Sequence, residues 1–427
     1  MNTLVRSWFL VLILVVSSSA NAENWPAWRG PRGDGTCIEK GLPTTWSMTK
    51  NVAWKVELPE RGNSTPIVWG DRVFVTQAIE KENRRTLMCF DRKDGKLIWQ
   101  KGAEWTEKEP THGTNPFCAS SPVTDGERVI AWYGSAGLFC YDFDGNELWK
   151  RDLGIQKHIW GYGASPVLHG DLCYLNFGPG ARSFLIAVNK KTGETVWQHD
   201  EPSIYEGTDE AKFANLDYTG SWSSPLFRDV NGRTELIISL PFRVCAFEPT
   251  TGKEFWTCTG TNALAYTSTL FADGIVVGMG GYNGMSIALK AGGSEDITKE
   301  QRLWRHPKTK QRIGSGVIHN GHIYIHNDPG IAECFELATG KLVWEERLPG
   351  GQNWSSVMLA DGLCYTINQN GDCCVFKADP KFELVAANSL GEHSNSSIVP
   401  SDGQLFIRTN NNLWCIGDRK REVRTTD

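Results

Sequence analysis

The residues with chemistry to offer in this 427-residue chain are loop aromatics and amides around a single arginine: Trp160, Tyr162, Trp222, Tyr266, Arg312, Trp354 and Asn395. Aromatic faces beside amides make a wet stacking surface for sugars, peptides or a planar cofactor. Arg312 would orient a carboxylate or carbonyl oxygen. Asp328 is the one carboxylate that the pattern places among the same loops. The blander alternative is that these side chains only plug a channel mouth. Other chemistries find no motif. No serine sits in a G-x-S-x-G elbow with a His partner, and the nine His show no H-E-x-x-H pair. No calcium loop of EF-hand type occurs. His319, His322 and His326 have suggestive spacing, but they fall in a strand pair and read as solvated strand and turn. No catalytic residue and no metal ligand is expected.

The elements that must position these loops are repeats. Five segments share a small residue, an apolar residue, a polar turn with Gly, and then Trp: CFDRKDGKLIW from Cys89, CYDFDGNELW from Cys140, AVNKKTGETVW from Ala187, AFEPTTGKEFW from Ala246 and CFELATGKLVW from Cys334. Two degenerate copies follow, one with Ala288 and Trp304 around an insertion, the other with Cys374 and Leu384 in the Trp place. Trp54, Trp99, Trp149, Trp197, Trp256, Trp304 and Trp344 thus recur at one structural position. Each segment reads as two strands joined at a glycine turn, and each is preceded by another strand pair. Seven of those pairs open with serine (Ser64, Ser120, Ser223, Ser268, Ser315, Ser356, Ser397), and Ala164 stands in the eighth; only small side chains fit where strands converge on an axis. Four strands at a period of about 47 residues predict an all-β, eight-bladed β-propeller of antiparallel blades. The last blade is one strand short, and NVAWKVEL (51–58), with Trp54 in frame, supplies it.

Composition sets further bounds. A net charge of −5 argues against a nucleic-acid partner. Arg6, the apolar run Trp8 to Val16 and Ala20-Asn21-Ala22 read as a cleavable signal peptide, with export to the periplasm or medium. No other stretch approaches the ~20 apolar residues of a membrane span, and no Cys follows the cleavage site to carry a lipid. The expected layout is signal peptide 1–22, lead-in 23–50, propeller 51–417 and tail 418–427, as a monomer. The 12 Cys do not look like a disulfide framework. Cys89, Cys140, Cys334, Cys374 and Cys415 stand where other repeats have Ala, and Cys173 and Cys364 where others have Val or Ile, so these read as reduced packing thiols. Two long loops, 101–118 and 199–221, are lids, partner surfaces or decoration.

Repeats of the form small–apolar–D/N-x-x-T-G-x-x-x-W resemble the pyrroloquinoline-quinone (PQQ) type repeat of quinoprotein alcohol dehydrogenase-like propellers, over nearly the whole chain from residue 23. WPAWRGPRGDG from Trp25 resembles the lead-in of exported members. The resemblance implies that the recurrent Trp docks on the neighbouring blade and that sites lie at the axial face. It leaves two function classes, because the superfamily holds true quinone dehydrogenases, a propeller lipoprotein of outer-membrane barrel assembly, and other exported proteins. One is a non-catalytic binding or scaffold protein whose axial mouth takes a protein partner, an extracellular polymer or a small molecule, with no cofactor. The other is a PQQ-dependent alcohol or sugar dehydrogenase with Ca²⁺. The second would need a carboxylate base and a calcium set that cannot be matched around Asp328. The adjacent pair Cys373-Cys374 is expected to pack in the sheet rather than to form the family's quinone-stacking disulfide.

Overall fold

The computed structural model describes residues 23–180, 182–201, 219–282 and 284–418. They form eight antiparallel blades in a ring, a β-propeller. Blade 1 shows the plan, with strands Ile67–Trp69, Arg72–Ile79, Arg84–Asp91 and Leu97–Glu104 running from the axis outwards. Its second and third strands are buried almost throughout, because a neighbouring blade covers each face of the sheet. The outermost strand is mostly exposed, and Trp99 is its single buried residue.

The recurrent tryptophans bind successive blades together. The indole N–H of Trp54 donates to the Arg92 carbonyl at 2.7 Å, Trp99 to Phe143 at 2.9 Å, Trp149 to Lys190 at 3.0 Å and Trp197 to Pro249 at 2.7 Å. Trp304 and Trp344 donate to Leu337 and Asp379 at 2.9 and 3.0 Å. Each acceptor lies in the next blade's outer turn, and in every case but Trp344 a turn glycine sits under the ring. Gly252 has a φ of +72°, and a Cβ there would lie 2.5 Å from Trp197. Trp256 is the exception. Its neighbour's turn is replaced by the insertion before Trp304, so it donates instead to Glu235 Oε2 at 2.8 Å. The insertion's Glu295–Asp296 adds a parallel strand outside Trp256–Thr257.

Blade 7 corrects the sequence reading. The bulge that elsewhere follows the Ala-equivalent residue here follows Val375, which pairs with Ala386. Val375 therefore holds that position, Cys374 faces Ala387, and Leu384 is not in the Trp place but opposite Phe376. All twelve cysteines are buried free thiols, Cys373 and Cys374 included.

Val52–Glu57 pairs antiparallel with Asn412–Ile416, with Trp54 opposite Cys415, and so completes blade 8. The preceding lead-in is a tie across one face of the ring. Trp25 bridges to Val68 of blade 1, and Thr36–Cys37 runs parallel to Leu359–Ala360 of blade 7. The buried Arg29 guanidinium donates to the carbonyls of Val357 and Gly316, at 2.7 and 2.6 Å. Arg228 of blade 4 pairs with Asp34 at 2.8 Å, and Glu39 accepts from the Asp402 and Gly403 amides of blade 8. No helix among the described residues is long and apolar enough to cross a membrane. The expected signal peptide and most of the tail lie outside the described residues.

Candidate functional site

A cavity of about 360 Å³ occupies the axis at the end where the innermost strands begin. Its wall is aromatic: Trp160, Trp222, Tyr266, Tyr282 and Trp354. Trp222 meets Tyr266 edge-on at 4.9 Å between centroids, and Trp160 lies 6.2 Å from Trp222. Asn63, Asn115, Gln311 and Asn395 add amides, and His112 an imidazole. Three of these amides stitch the mouth together. Asn63 and Asn395 both donate to the Thr114 carbonyl, at 2.9 and 3.0 Å, and Asn115 donates to the Trp160 carbonyl at 2.8 Å.

Beneath the aromatics lies a ring of hydroxyls. The backbone N–H of Thr65 donates to Ser121 Oγ at 3.0 Å, Ser121 to Ser165 at 3.0 Å, Ser165 to Ser224 at 2.9 Å and Ser224 to Ser268 at 2.8 Å. Ser268, Ser315 and Ser356 continue the pattern to Ser315, Ser356 and Ser397, and the Ser397 N–H closes the circle on Thr65 Oγ1 at 3.0 Å. This corrects the register expected from sequence. Ser64, Ser120, Ala164 and Ser223 belong to the column one residue earlier, and the true ring holds a hydroxyl in all eight blades, in place of seven serines and an alanine. Trp28 of the lead-in closes the far side. Later residues of the same innermost strands, Val123 and Val167 among them, line a second cavity of about 440 Å³ on the opposite face, and Trp28 and Ser165 border both.

Five of the residues singled out from sequence therefore meet in one lining: Trp160, Trp222, Tyr266, Trp354 and Asn395. Three do not. Tyr162 is buried against Trp132, with ring centroids 4.7 Å apart, and its hydroxyl accepts the Cys118 N–H at 3.0 Å. Arg312 is only 1% exposed. It turns away between blades 5 and 6, where Glu333 pairs with it at 3.0 Å and Ser286 and Asn327 accept its other protons. A buried carboxylate holds a guanidinium more strongly than an open channel does, so Arg312 offers nothing to a ligand. Burial would raise the Glu333 carboxyl, but Arg312 and Lys310 hold it below its usual range. Asp328 accepts the Trp354 indole N–H at 2.7 Å and fixes that ring from behind. Burial pushes its carboxyl upwards against that hydrogen bond.

His326 is also not solvated as expected. It is 1% exposed, and burial pushes its imidazole down to about 3. In the first long loop, residues 101–104 continue the outer strand of blade 1, and the rest returns to the mouth as His112, Thr114 and Asn115. In the second, Glu201 is buried on Arg243 at 2.7 Å, and residues 202–218, like Asn283, lie outside the described residues. Sequence reasoning missed Trp28, His112, Gln311 and the complete hydroxyl column. Aligning the innermost strands on Pro66, Pro122, Pro166 and Pro225 would have found the last.

Comparison with known proteins agrees with this architecture. No curated protein matches the chain in sequence. BamB from Moraxella catarrhalis superposes with a TM-score of 0.61 at 12% identity, covering 89% of this chain and 99% of that one. Quinohemoprotein alcohol dehydrogenase from Comamonas testosteroni gives 0.67 at 12% identity over 92% of this chain and 81% of its own. Quinohemoprotein alcohol dehydrogenase ADHIIG from Pseudomonas putida HK5 gives 0.65 at 13% identity, with 93% and 80% covered. At such identities these likenesses speak for the fold alone. The family model described as outer membrane protein assembly factor BamB matches residues 40–116 and 83–346, and the chain belongs to that PQQ-like repeat family.

Proposed function

We propose that this chain is an exported, non-catalytic binding propeller that captures its ligand in the axial cavity. One observation carries the reading: every described residue of the lining is an aromatic, an amide, a hydroxyl, an imidazole or a small or aliphatic residue, with no Asp, Glu, Lys or Arg. Such a surface stacks and hydrogen-bonds, but it supplies no carboxylate base for a dehydrogenation.

The quinone-dependent alternative asks for a carboxylate base, oxygen ligands for Ca²⁺ and a stacking disulfide, and the residues present do not fit. The Asp328 carboxylate is held by Trp354 and Glu333 is sealed by two cations. Cys373 and Cys374 are buried within a strand of blade 7, opposite Asn388 and Ala387. Among the described residues no three His, Cys, Asp or Glu side chains gather where a metal could sit. Titrating the purified protein with PQQ and Ca²⁺ while following the quinone absorbance tests the choice. No saturable spectral change is expected. A stoichiometric change that is lost in Trp222→Ala would replace the binding reading with the dehydrogenase.

The family's description as an assembly factor favours a second form of the same reading, in which the occupant of the mouth is a segment of a protein partner.

A further inference from the structure

We infer that the axial cavity is a blind pocket for the uncharged end of a neutral glycan chain, entered end-on and stopped by Trp28. The inference rests on the reading of the cavity as the binding site and names what it takes.

The first argument is shape. Trp222 and Trp354 line the cavity on the loop side, while Trp28 borders both this cavity and the one on the opposite face and so stands between them. Its lead-in is held to blade 1 through Trp25 and to blades 6 and 7 through Arg29. A chain cannot thread through a stoppered channel, so a polymer must be held by a terminus. About 360 Å³ is room for a sugar unit or two and not for a folded element.

The second argument is charge. An unmodified peptide ends in an ammonium or a carboxylate, and burying either without a partner is costly. The lining holds no counter-charge, because Arg312 is committed to Glu333 and Asp328 to the Trp354 indole. The non-reducing end of a neutral glycan carries no charge to bury.

The third argument is the match of groups. A pyranose has apolar C–H faces that lie on aromatic rings, and Trp160, Trp222 and Trp354 provide them. Its hydroxyls both donate and accept. The amides at the rim accept and donate in turn. Five ring hydroxyls face the cavity (Thr65, Ser121, Ser165, Ser356 and Ser397), and each oxygen already accepts a backbone N–H from the preceding blade, so its own hydrogen is left to donate to a sugar oxygen. The girdle is therefore a donor floor under an aromatic wall.

The test uses the full chain, with linear cello-, malto-, manno- and xylo-oligosaccharides of three and six units as probes. Tetra-alanine with free or with blocked ends serves as the contrasting set. Binding is read by calorimetry and tryptophan fluorescence, with thermal unfolding of every variant in parallel. At least one sugar series should titrate saturably, and its tri- and hexasaccharide should agree within about threefold, since only the end is held. Trp222→Ala and Trp354→Phe should each weaken it by roughly tenfold or more without loss of folding. Trp28→Ala should open the floor and make the hexasaccharide the tighter ligand. If no sugar binds, if only tetra-alanine binds, or if affinity in the wild type climbs more than about tenfold from three units to six, the glycan-end inference is overturned. Capture of any probe that both mouth variants leave unchanged would overturn the cavity reading itself.

Discussion

Trp197 and Trp222 are the same residue type at two radii of one ring, and they serve different ends. Trp197 lies at the rim, 8% exposed, over the Gly252 turn with its N–H on Pro249; five other blades repeat the N–H bond and four of them the glycine. Trp222 lies at the axis, half-buried, with its N–H on the Gly161 carbonyl and its ring against Tyr266, whereas Trp354 at the same register of blade 7 donates to Asp328 and the other six blades hold other residues there. In a cyclic repeat, what recurs must serve the contact that recurs, namely blade on blade. What does not recur is free to meet something outside the ring.

The comparison can be broken most forcefully at the rim. Removing residues 51–58 strips blade 8 of its outer strand, and the largest effect is expected there: loss of cooperative unfolding of the whole ring in calorimetry. Trp197→Ala should cost about 3–5 kcal/mol in denaturant unfolding. A loss under ~1 kcal/mol would mean that the rim tryptophans are not what holds neighbouring blades. Arg312→Met should cost a similar ~3–5 kcal/mol, because it leaves Glu333 buried beside Lys310 alone. Ligand capture should survive that change, since Arg312 is not in the lining.

Another effect depends on pH. His326 is held neutral in the fold, down to about 3, and takes up a proton near its ordinary value of about 6.5 once unfolded. Its contribution is fully present above pH ~6.5 and is lost as pH falls towards 3, by about 1.4 kcal/mol per unit. His326→Gln should flatten that part of the stability–pH curve relative to the wild type, and an unchanged slope would refute the assignment. The smallest stability effect is expected at the mouth. Trp222→Ala should cost no more than ~1–2 kcal/mol, well below Trp197→Ala. Equal losses at the two tryptophans would make the mouth a structural plug and erase the distinction.

The ring and its closure were legible in the sequence because both depend on periodic features: the Gly-to-Trp turn spacing and one strand in frame at the far end. The site was half legible. Trp160, Trp222, Tyr266, Trp354 and Asn395 announce themselves as large or polar residues in the loops leading to innermost strands. Arg312 and Tyr162 announce themselves equally, but a one-dimensional pattern cannot say which way a side chain turns. Arg312 was captured by Glu333, which lies in the third strand of the blade that the Arg312 loop enters, twenty-one residues on. The hydroxyl girdle was misread by one residue in four blades, because a serine or alanine precedes each true position and looks like it. Blade 7 failed for a related reason: with no Trp to fix the frame, the bulge after Val375 could not be located.

Closure of the ring also has a kinetic side. The strand at Val52–Glu57 is synthesised early and its partner Asn412–Ile416 late, so the finished sheet waits for almost the entire propeller. The entropy of closing so long a loop grows only slowly, by ~0.6 kcal/mol for each doubling of its length. The delay therefore weighs on folding rate more than on final stability. Until closure, Asn412–Ile416 is a bare edge, and any second copy of Val52–Glu57 fits it as well as the chain's own. At high concentration the protein should thus be prone to strand exchange, with the early strand of one molecule completing the last blade of the next.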